Sequence, residues 1–267
     1  MCDYEQYQTM SILRKTRHES AQFKDHFSHD SAAYSKHRPG YPRALFTYLS
    51  SIAGGHNLAW DCATGSGQSA IQLADSFKSV IATDASESQI RNSHKHNNVH
   101  YYVAAAEYSA IKNNSLDLIT VAQALHWFDL NAFSAEVDRA LKKDGIIAAW
   151  SYNLLTVRPD IDNHIRHFYA TVLKQYWPAE RSMVENGYNT VNFPLKELKV
   201  PAFHMSTDWT PAQLTSYIST WSAVNAYVSK NHHNPIDLFY QKLVRLWGDS
   251  NTELQVKWPL TVRAWQK

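Results

Sequence analysis

Cysteine, long apolar runs and glycine are scarce in this chain of 267 residues, and each scarcity narrows the possible function. Two cysteines, Cys2 and Cys62, cannot form a disulfide framework, so a reducing compartment, the cytoplasm, is expected. No apolar run approaches the ~18 residues of a membrane span, and the first residues lack the basic and apolar regions of a secretory signal. We therefore expect no membrane partner. With only 8 glycines in the chain, two of them in one short motif stand out.

An excess of charge of one sign is also lacking. The chain has 26 Lys and Arg against 24 Asp and Glu, a net charge of +2 with His neutral. Its longest basic runs are pairs such as Arg14-Lys15 and Lys142-Lys143, whereas nucleic-acid binding requires a basic patch. No nucleic-acid partner is therefore expected. Hydrophobic residues, at 44%, are numerous enough for a full core, which excludes a disordered protein.

Short apolar runs alternate with helical patterns between residues 57 and 152. This alternation indicates parallel βαβ units, and therefore an α/β fold with a doubly wound sheet and helices on both faces. The predicted strands are 57–61, 80–83, 99–104, 116–122 and 146–150, and the helices between them are 68–77, 87–94 and 130–141. Before them, a polar arm over residues 1–30 leads into a first helix, and a second runs from Pro42 to Gly54-Gly55.

Aromatic residues are abundant in the second half, where six of the nine Trp lie after residue 150. The helices predicted there from apolar stripes are 161–176, 210–228 and 235–248, with a loop and a short helix over 178–197. A strand is predicted over Leu198–Met205. The last segment, 253–264, alternates with a period of two, which is typical of a half-buried strand. Pro259 favours an edge or a bulge in that strand because it has no amide hydrogen.

A glycine motif links the first of these predicted strands to the helix after it: Asp61-Cys-Ala-Thr-Gly65-Ser-Gly67-Gln-Ser-Ala. Two glycines between a strand and a helix let a ligand approach the backbone and meet the helix N-terminus. Asp84 stands seventeen residues after Gly67, at the end of the next predicted strand, where a carboxylate can accept both hydroxyls of a ribose. Together these features predict a cofactor that contains adenosine.

The motif alone leaves the identity of the cofactor open. Gly65-Ser-Gly67-Gln-Ser-Ala70 fits the G-x-G-x-x-A form of the dinucleotide fingerprint, so an NAD-type oxidoreductase is one alternative. A protein that binds the cofactor without turnover is another, because no residue stands out as indispensable for catalysis. Asp61, an acid on the strand before the glycines, argues against the dinucleotide.

Several segments resemble the class I S-adenosylmethionine-dependent methyltransferases, and within them the small-molecule branch that includes trans-aconitate methyltransferases. The similar segments are 34–42, 61–68, 84–86, 115–128, 141–145 and 256–259. The resemblance implies a Rossmann-like sheet of seven strands, the last one antiparallel, with a helical cap. The single methyltransferase domain would then comprise N-terminal helices (1–55), a cofactor-binding core (56–152), a cap insertion (153–197) and closing strands and helices (198–267).

The resemblance also implies that S-adenosylmethionine is the cofactor. Asp84 is expected to hold its ribose, Ala85 to flank the adenine, and Gln123 to reach the ammonium or sulfonium side. Tyr34 and Arg38 are expected to close over the cofactor, with Arg38 pairing its carboxylate. The full set of cofactor-binding residues implied in this way is Tyr34, Arg38, Asp61, Ala63, Thr64, Gly65, Gly67, Gln68, Asp84, Ala85, Ala106, Glu107 and Gln123.

The sequence departs from the family pattern at two places. Ala63 stands where the family loop often has a third glycine, and Ala63 and Gly65 are expected to offer backbone contacts to the methionine part. Ala104-Ala105 stands where many relatives have Gly-Asp, whose Asp contacts the adenine amino group. Either the side chain of Glu107 or the backbone amide of Ala106 is expected to replace that contact.

For the reaction, the resemblance implies methyl transfer to a small-molecule acceptor, with a carboxylate oxygen favoured. His126 is the candidate for a catalytic base, although a packed structural histidine fits the pattern as well. Trp127 is a candidate for the substrate pocket, as are Tyr169, Tyr176, Trp177 and Trp221, for all of which core packing is an alternative. No metal site is expected, since His94, His96 and His100 lie in a polar stretch with no cysteine or carboxylate among them. A monomer or a homodimer is expected.

Overall fold

The computed structural model describes residues 39–267. Tyr34 and Arg38, together with the polar arm and the first predicted helix, lie outside the described residues. None of the helices within residues 39–267 is both long and apolar enough to cross a membrane.

Within residues 39–267 the strands form one eight-stranded sheet. They are β1 (Leu58–Cys62), β2 (Ser79–Asp84), β3 (Val99–Val103), β4 (Leu116–Ala122), β5 (Leu141–Tyr152), β6 (Lys196–Leu198), β7 (Phe203–Trp209) and β8 (Leu254–Gln266). The order across the sheet is β3-β2-β1-β4-β5-β8-β6, and β7 also pairs with β8. The first five strands are parallel and β8 is antiparallel to β5, which confirms the predicted α/β class and the antiparallel last strand.

The strand predicted over Leu198–Met205 is wrong in its extent, and this difference accounts for the eighth strand. The structure has two strands there, β6 and β7, separated by residues 199–202. Pro201 lies in that interval and cannot donate a backbone hydrogen bond. The two strands pair with opposite ends of β8, β6 with 264–266 and β7 with 254–260.

Helices cover both faces of the sheet. They are α1 (Arg43–Ile52), α2 (Gln68–Leu73), α3 (Glu87–Arg91), α4 (Leu130–Ala140), α5 (Pro159–His167), α6 (Arg181–Glu185), α7 (Pro211–Ser219), α8 (Ser222–Asn231) and α9 (Ile236–Trp247). Alternate residues of β5 belong to different apolar cores: Ile146 and Ala148 pack with α1 and α2, while Ile147 and Ala149 pack with α4. Burial on both faces explains why the central strands are continuous apolar runs.

Two helices predicted as continuous are interrupted. The stripe over 161–176 forms α5, then a π-helical turn over Phe168–Val172 and a 3-10 turn over Lys174–Tyr176. The stripe over 210–228 divides into α7 and α8 at Trp221, whose backbone is extended with φ −68° and ψ 135°. The apolar pattern runs across that break because Trp221 and Val224 are buried on the same side as α7. In both segments the hydrophobic stripe therefore predicts which side chains are buried, but it does not predict where the helix is interrupted.

Pro259 lies in β8, a strand with neighbours on both sides, rather than at the outer edge of the sheet. Lys257 exchanges two backbone hydrogen bonds with Thr156 on the β5 side of β8, at 2.8 and 2.9 Å. Because strand residues alternate, the nitrogen of Pro259 points to that same side, where pairing with β5 has ended at Tyr152 and Leu260. The missing amide hydrogen therefore faces a local gap in the sheet and costs no ladder bond.

Candidate active site

The glycine loop follows β1 and ends where α2 begins at Gln68. Ala63, Gly65 and Gly67 all have left-handed backbone conformations, with φ of 54°, 56° and 87°. At Gly67 a side chain is sterically excluded, because a Cβ atom would lie 2.1 Å from the hydroxyl oxygen of Tyr101. That phenol donates a hydrogen bond of 2.7 Å to the carbonyl of His94, which fixes its position against the loop.

Gly65 has open space beside it among residues 39–267. A Cβ atom built there would have Oε1 of Gln89, 3.9 Å away, as its one neighbour within 4 Å in this part of the chain. Its amide donates a hydrogen bond of 2.9 Å to Oδ2 of Asp84, which ties the loop to the tip of β2. The loop therefore presents bare backbone beside an acid, a geometry that fits the methionine and ribose parts of a nucleoside cofactor.

Asp84 lies half-buried at the carboxyl end of β2, between the glycine loop and the turn before α3. Its second carboxylate oxygen, Oδ1, accepts a hydrogen bond of 2.9 Å from the amide of Ser86. Ala85 is exposed next to it. The carboxylate is thus held in place by backbone donors from two loops, at the position where parallel-sheet proteins bind a ribose.

Asp61 lies beneath the glycine loop, almost fully buried. Its two oxygens accept hydrogen bonds from the hydroxyls of Thr64, at 2.5 Å, and Thr120, at 2.7 Å. Burial raises the pKa of Asp61 to about 6, although bonds from Thr64, Thr120 and the Ala70 backbone oppose the shift. The amide of Thr64 also donates to the Thr83 carbonyl, at 2.9 Å. These contacts shape the loop from below.

The tip of β4 lies next to the glycine loop because β4 pairs with β1. Gln123 follows β4 with a φ of 58°, and its side-chain nitrogen donates 3.3 Å to the carbonyl of Tyr152 at the end of β5. A 3-10 turn over Leu125–Trp127 comes next and carries both His126 and Trp127, whose rings are 4.7 Å apart. The structure therefore brings Asp84, Gly65, Gln123 and His126 to the same edge of the sheet.

Ala106 and Glu107 lie in the loop after β3. Ala106 is buried, and Oε1 of Glu107 accepts a hydrogen bond of 2.9 Å from the amide of Asp129. Asp129 is itself the N-cap of α4, so Glu107 joins the loop after β3 to the start of that helix. Its carboxylate is already engaged by a backbone donor.

His126 is a neutral, weakly basic imidazole in this environment. Burial lowers its pKa to about 4, and the charge of Arg181 contributes to the shift. Its Nδ1 atom lies 3.2 Å from the hydroxyl of Tyr188, a fully buried tyrosine whose ring lies nearly parallel to the imidazole. A base with so low a pKa removes protons poorly at neutral pH.

Arg181 and Tyr188 are site residues that the sequence patterns do not predict. Arg181 donates hydrogen bonds to the Tyr169 hydroxyl, at 2.9 Å, and to Oδ1 of Asn153, at 3.1 Å. Its guanidinium carbon lies 5.1 Å from the centre of the Trp177 ring. One signal in the sequence pointed to it: Arg181 is the only arginine between residues 178 and 197 and follows an aromatic-rich stretch.

The predicted aromatic residues of the second half lie together, with one exception, and Tyr169 and Trp177 are the two beside this arginine. Tyr169 and Trp177 have ring centres 4.5 Å apart, and Trp221 lies 5.7 Å from Trp177. Tyr169 and Trp221 are both buried. Tyr176 instead pairs with Tyr227, at 4.9 Å.

Comparison with known proteins agrees with this geometry. Residues 60–149 match a family described as a methyltransferase domain. A protein of Dictyostelium discoideum named as a methyltransferase is 32% identical over 246 residues, which cover 89% of this chain and 93% of the relative. A Saccharomyces cerevisiae protein named as the S-adenosylmethionine-dependent methyltransferase CRG1 is 22% identical, with 86% of this chain and 92% of the relative covered.

A solved structure extends the likeness to three dimensions. It is a protein from Anaeromyxobacter dehalogenans named as a type II methyltransferase, 39% identical, with a TM-score of 0.82 and with 86% of this chain and 97% of that chain covered. These matches decide in favour of S-adenosylmethionine over a nicotinamide cofactor. The chain belongs to the class I S-adenosylmethionine-dependent methyltransferases, and S-adenosylmethionine is its cofactor.

Proposed function

We propose that this methyltransferase acts on a small-molecule acceptor and transfers the methyl group to a carboxylate oxygen. The observation that carries the proposal is the environment of His126, which lies at the strand tips as a neutral imidazole with a pKa of about 4 because of its burial and of Arg181. A phenol, amine or carbon acid needs a base to remove its proton, whereas a carboxylate attacks as it stands.

The cofactor would be held by the loop and the strand tips described above. In this proposal Asp84 binds the ribose, Ala85 flanks the adenine, and the backbone of Ala63 and Gly65 contacts the methionine part. Gln123 approaches its ammonium or sulfonium side from the tip of β4. The open space beside Gly65 and the half-buried position of Asp84 support this assignment.

Other residues of the predicted set act indirectly in the proposal. Asp61 and Thr64 hold the loop in shape from below, Gly67 allows the loop to pack on Tyr101, and Gln68 starts α2. Ala106 remains the candidate for the adenine contact through its amide. Tyr34 and Arg38 keep their predicted role at the cofactor carboxylate, outside the described residues.

The remaining task of the protein is to align the acceptor with the methyl group. When bound, S-adenosylmethionine would supply an electrophilic methyl group and keep the electron pair of the broken C–S bond on sulfur, so a carboxylate oxygen could accept the methyl group with no proton transfer. The side chains of the cap exclude water and orient the acceptor for an in-line attack. Tyr169, Trp177 and Trp221 supply an apolar wall for that purpose, and Trp127 packs against His126.

A labelled-methyl assay tests the acceptor class. The protein is incubated with cofactor labelled in the methyl group and a panel of carboxylic acids, phenols and amines, and labelled products are then treated with alkali. We expect label to be transferred to acids and to be released as methanol, because methyl esters hydrolyse under alkali. Ethers, N-methyl and C-methyl products survive that treatment, so an alkali-stable product would contradict the proposed acceptor.

A further inference from the structure

Arg181 is a half-buried cation without an ion pair. No carboxylate among residues 39–267 lies within salt-bridge distance of its guanidinium. The nearest acid along α6, Glu185, instead accepts a hydrogen bond from the hydroxyl of Tyr169. Arginine is rarely buried without a partner, so a bound anion is a natural complement for this guanidinium.

Contacts on two nitrogens hold the guanidinium of Arg181 in place, and its third nitrogen remains available for a ligand. Its Nε atom donates to Tyr169 and its Nη2 atom donates to Asn153, while the plane lies against the rings of Tyr169 and Trp177. The Nη1 atom makes no hydrogen bond within the described part of the chain. A fixed, partly satisfied guanidinium is preorganised to bind an anion.

The position of Arg181 connects it to the tips of the strands. Asn153, which accepts its Nη2 hydrogen bond, directly follows Tyr152, whose carbonyl accepts the side chain of Gln123. On the other side, α6 packs against the 3-10 turn of His126, and Tyr188, just beyond α6, contacts the imidazole. These contacts connect the arginine to Gln123 and His126, residues assigned to the methyl-transfer site.

We propose that Arg181 binds the carboxylate of the acceptor and positions it for attack, an inference that rests on the proposed function. A planar guanidinium matches a carboxylate in size and hydrogen-bond geometry, and the unused Nη1 end supplies the donors. The rings of Tyr169 and Trp177 lie beside the guanidinium, and Trp221 packs against both. These three rings would contact the apolar part of the same molecule. Acceptors in which an amide replaces that carboxylate should bind weakly.

A binding experiment tests this without turnover. The protein is saturated with S-adenosylhomocysteine, and its thermal unfolding is followed with increasing succinate, glutarate, benzoate or phenylacetate, and with the corresponding amides. We expect saturable stabilisation by at least one acid and none by its amide. In Arg181→Met the affinity for that acid should fall about 10- to 100-fold, the usual value of a charge-assisted hydrogen bond pair.

Two further variants make the result decisive. Arg181→Lys keeps the charge and loses the planar fork, so it should bind the acid with intermediate affinity. Arg166→Met removes an exposed arginine of α5 and should change nothing. S-adenosylhomocysteine should bind all variants equally. Where Arg181→Met fails to fold, the comparison of Arg181→Lys with the unchanged protein decides.

The outcomes separate this inference from the proposed function. Wild-type protein that binds no acid, or Arg181 variants that bind acids as tightly as the wild type, would overturn the role of Arg181. Acid binding that depends on Arg181, combined with an alkali-stable methylated product, would retain the anion site and reject the carboxylate oxygen as the methyl acceptor.

Discussion

Gly65 and Gly67 are two residues apart, share a left-handed backbone and have different tasks. Gly67 is required by the fold, because a side chain there would overlap Tyr101, whereas Gly65 opens toward the proposed cofactor site. We predict that Gly65→Arg abolishes cofactor binding and leaves the protein folded, with a backbone cost of about 1–2 kcal/mol. Isothermal titration with S-adenosylhomocysteine, together with circular dichroism, measures both effects.

Gly248 provides the matched control for this substitution. It also has a positive φ, 91°, and a Cβ atom there would meet no atom of residues 39–267 within 4 Å. Its ψ of −106° lies outside the left-handed helical region, so Gly248→Arg should show at least as much backbone strain as Gly65→Arg and normal cofactor affinity. Normal affinity in Gly65→Arg would place the cofactor elsewhere.

Asp61 should make stability depend on pH in an unusual direction. Its pKa in the folded protein, about 6, is above the ordinary 3.8, mainly because of burial, so the folded state holds the proton more tightly than the unfolded chain. The contribution of Asp61 to stability is therefore largest below pH 4 and declines as pH rises toward 6, by about 3 kcal/mol in total. Urea unfolding between pH 3.5 and pH 7 would measure this decline in the free energy of unfolding. The Asp61→Asn variant should not show it.

The control for Asp61 is an exposed carboxylate. Asp237, in the first turn of α9, is exposed, so Asp237→Asn should keep the same decline of stability with pH as the wild type. An Asp61→Asn variant with an unchanged decline would show that another group is responsible for it.

The charge of Arg181 should be measurable at His126. Burial is the main reason why the pKa of His126 is about 4, and the guanidinium is the second. We predict that Arg181→Met raises this pKa and leaves it below 6.5, because the burial remains. NMR titration of the imidazole, assigned with a His126→Gln variant, reads out the change, and Arg166→Met should not alter it. A constant pKa would mean that the two groups are not close.

At the scale of elements, Asp117 joins the starts of two central strands. From the second position of β4 it accepts hydrogen bonds of 2.9 Å from the amides of Asn57 and Leu58, at the start of β1, and one of 2.7 Å from Lys142. Burial disfavours its charge, but the hydrogen bonds from Lys142 and the two amides outweigh this effect, and its pKa is lowered.

We predict that Asp117→Asn lowers the free energy of unfolding by about 1–3 kcal/mol at pH 7. The stabilisation by Asp117 is present above its ordinary pKa and lost as pH falls through the lowered value, so the variant and the wild type should converge in acid. Urea unfolding at pH 7 and pH 2.5 tests both parts. Lys142→Met should lose less, because the two amide hydrogen bonds remain, and equal stability of all three proteins at pH 7 would refute the linkage.

The sequence predicts the first half of the fold closely and the second half loosely. In β1, β4 and β5 most residues of both faces are buried, so an apolar run marks the strand itself. After Tyr152 the apolar pattern reports only which side faces the core. It continues across the break at Trp221 and hides the gap at Pro201, because both interruptions depend on contacts with distant residues, Tyr169 and β8 among them.

The same distinction applies to the candidate site. Gly65 and Asp84 can be found from the sequence because a local motif and a strand end place them. Arg181 and Tyr188 cannot, since their roles depend on how α6 packs against the turn that carries His126, more than fifty residues earlier. Of the predicted site, the cofactor half follows from local chemistry, while the acceptor half follows from packing.

For the molecule as a whole, the stability of the protein with different cofactors should show which cofactor it binds. A ligand present at a hundred times its dissociation constant adds ~2.7 kcal/mol to the free energy of unfolding. We expect S-adenosylmethionine and S-adenosylhomocysteine to stabilise the protein in this way and NADH to leave it unchanged. Thermal unfolding with each ligand tests this, and Gly65→Arg should respond to none of them. Stabilisation by NADH alone would contradict the assigned cofactor.

The interior position of β8 has a consequence for biosynthesis. Within residues 39–267, β6 and β7 pair with β8 and with no other strand, and β8 also covers the free edge of β5. Since β8 is translated after all of them, β6, β7 and that edge wait without a partner until it leaves the ribosome. The strands that carry the glycine loop and Asp84 have by then been available to pair for more than a hundred residues of synthesis. A nascent chain should therefore acquire the cofactor half first and the closing half of the sheet in one late step.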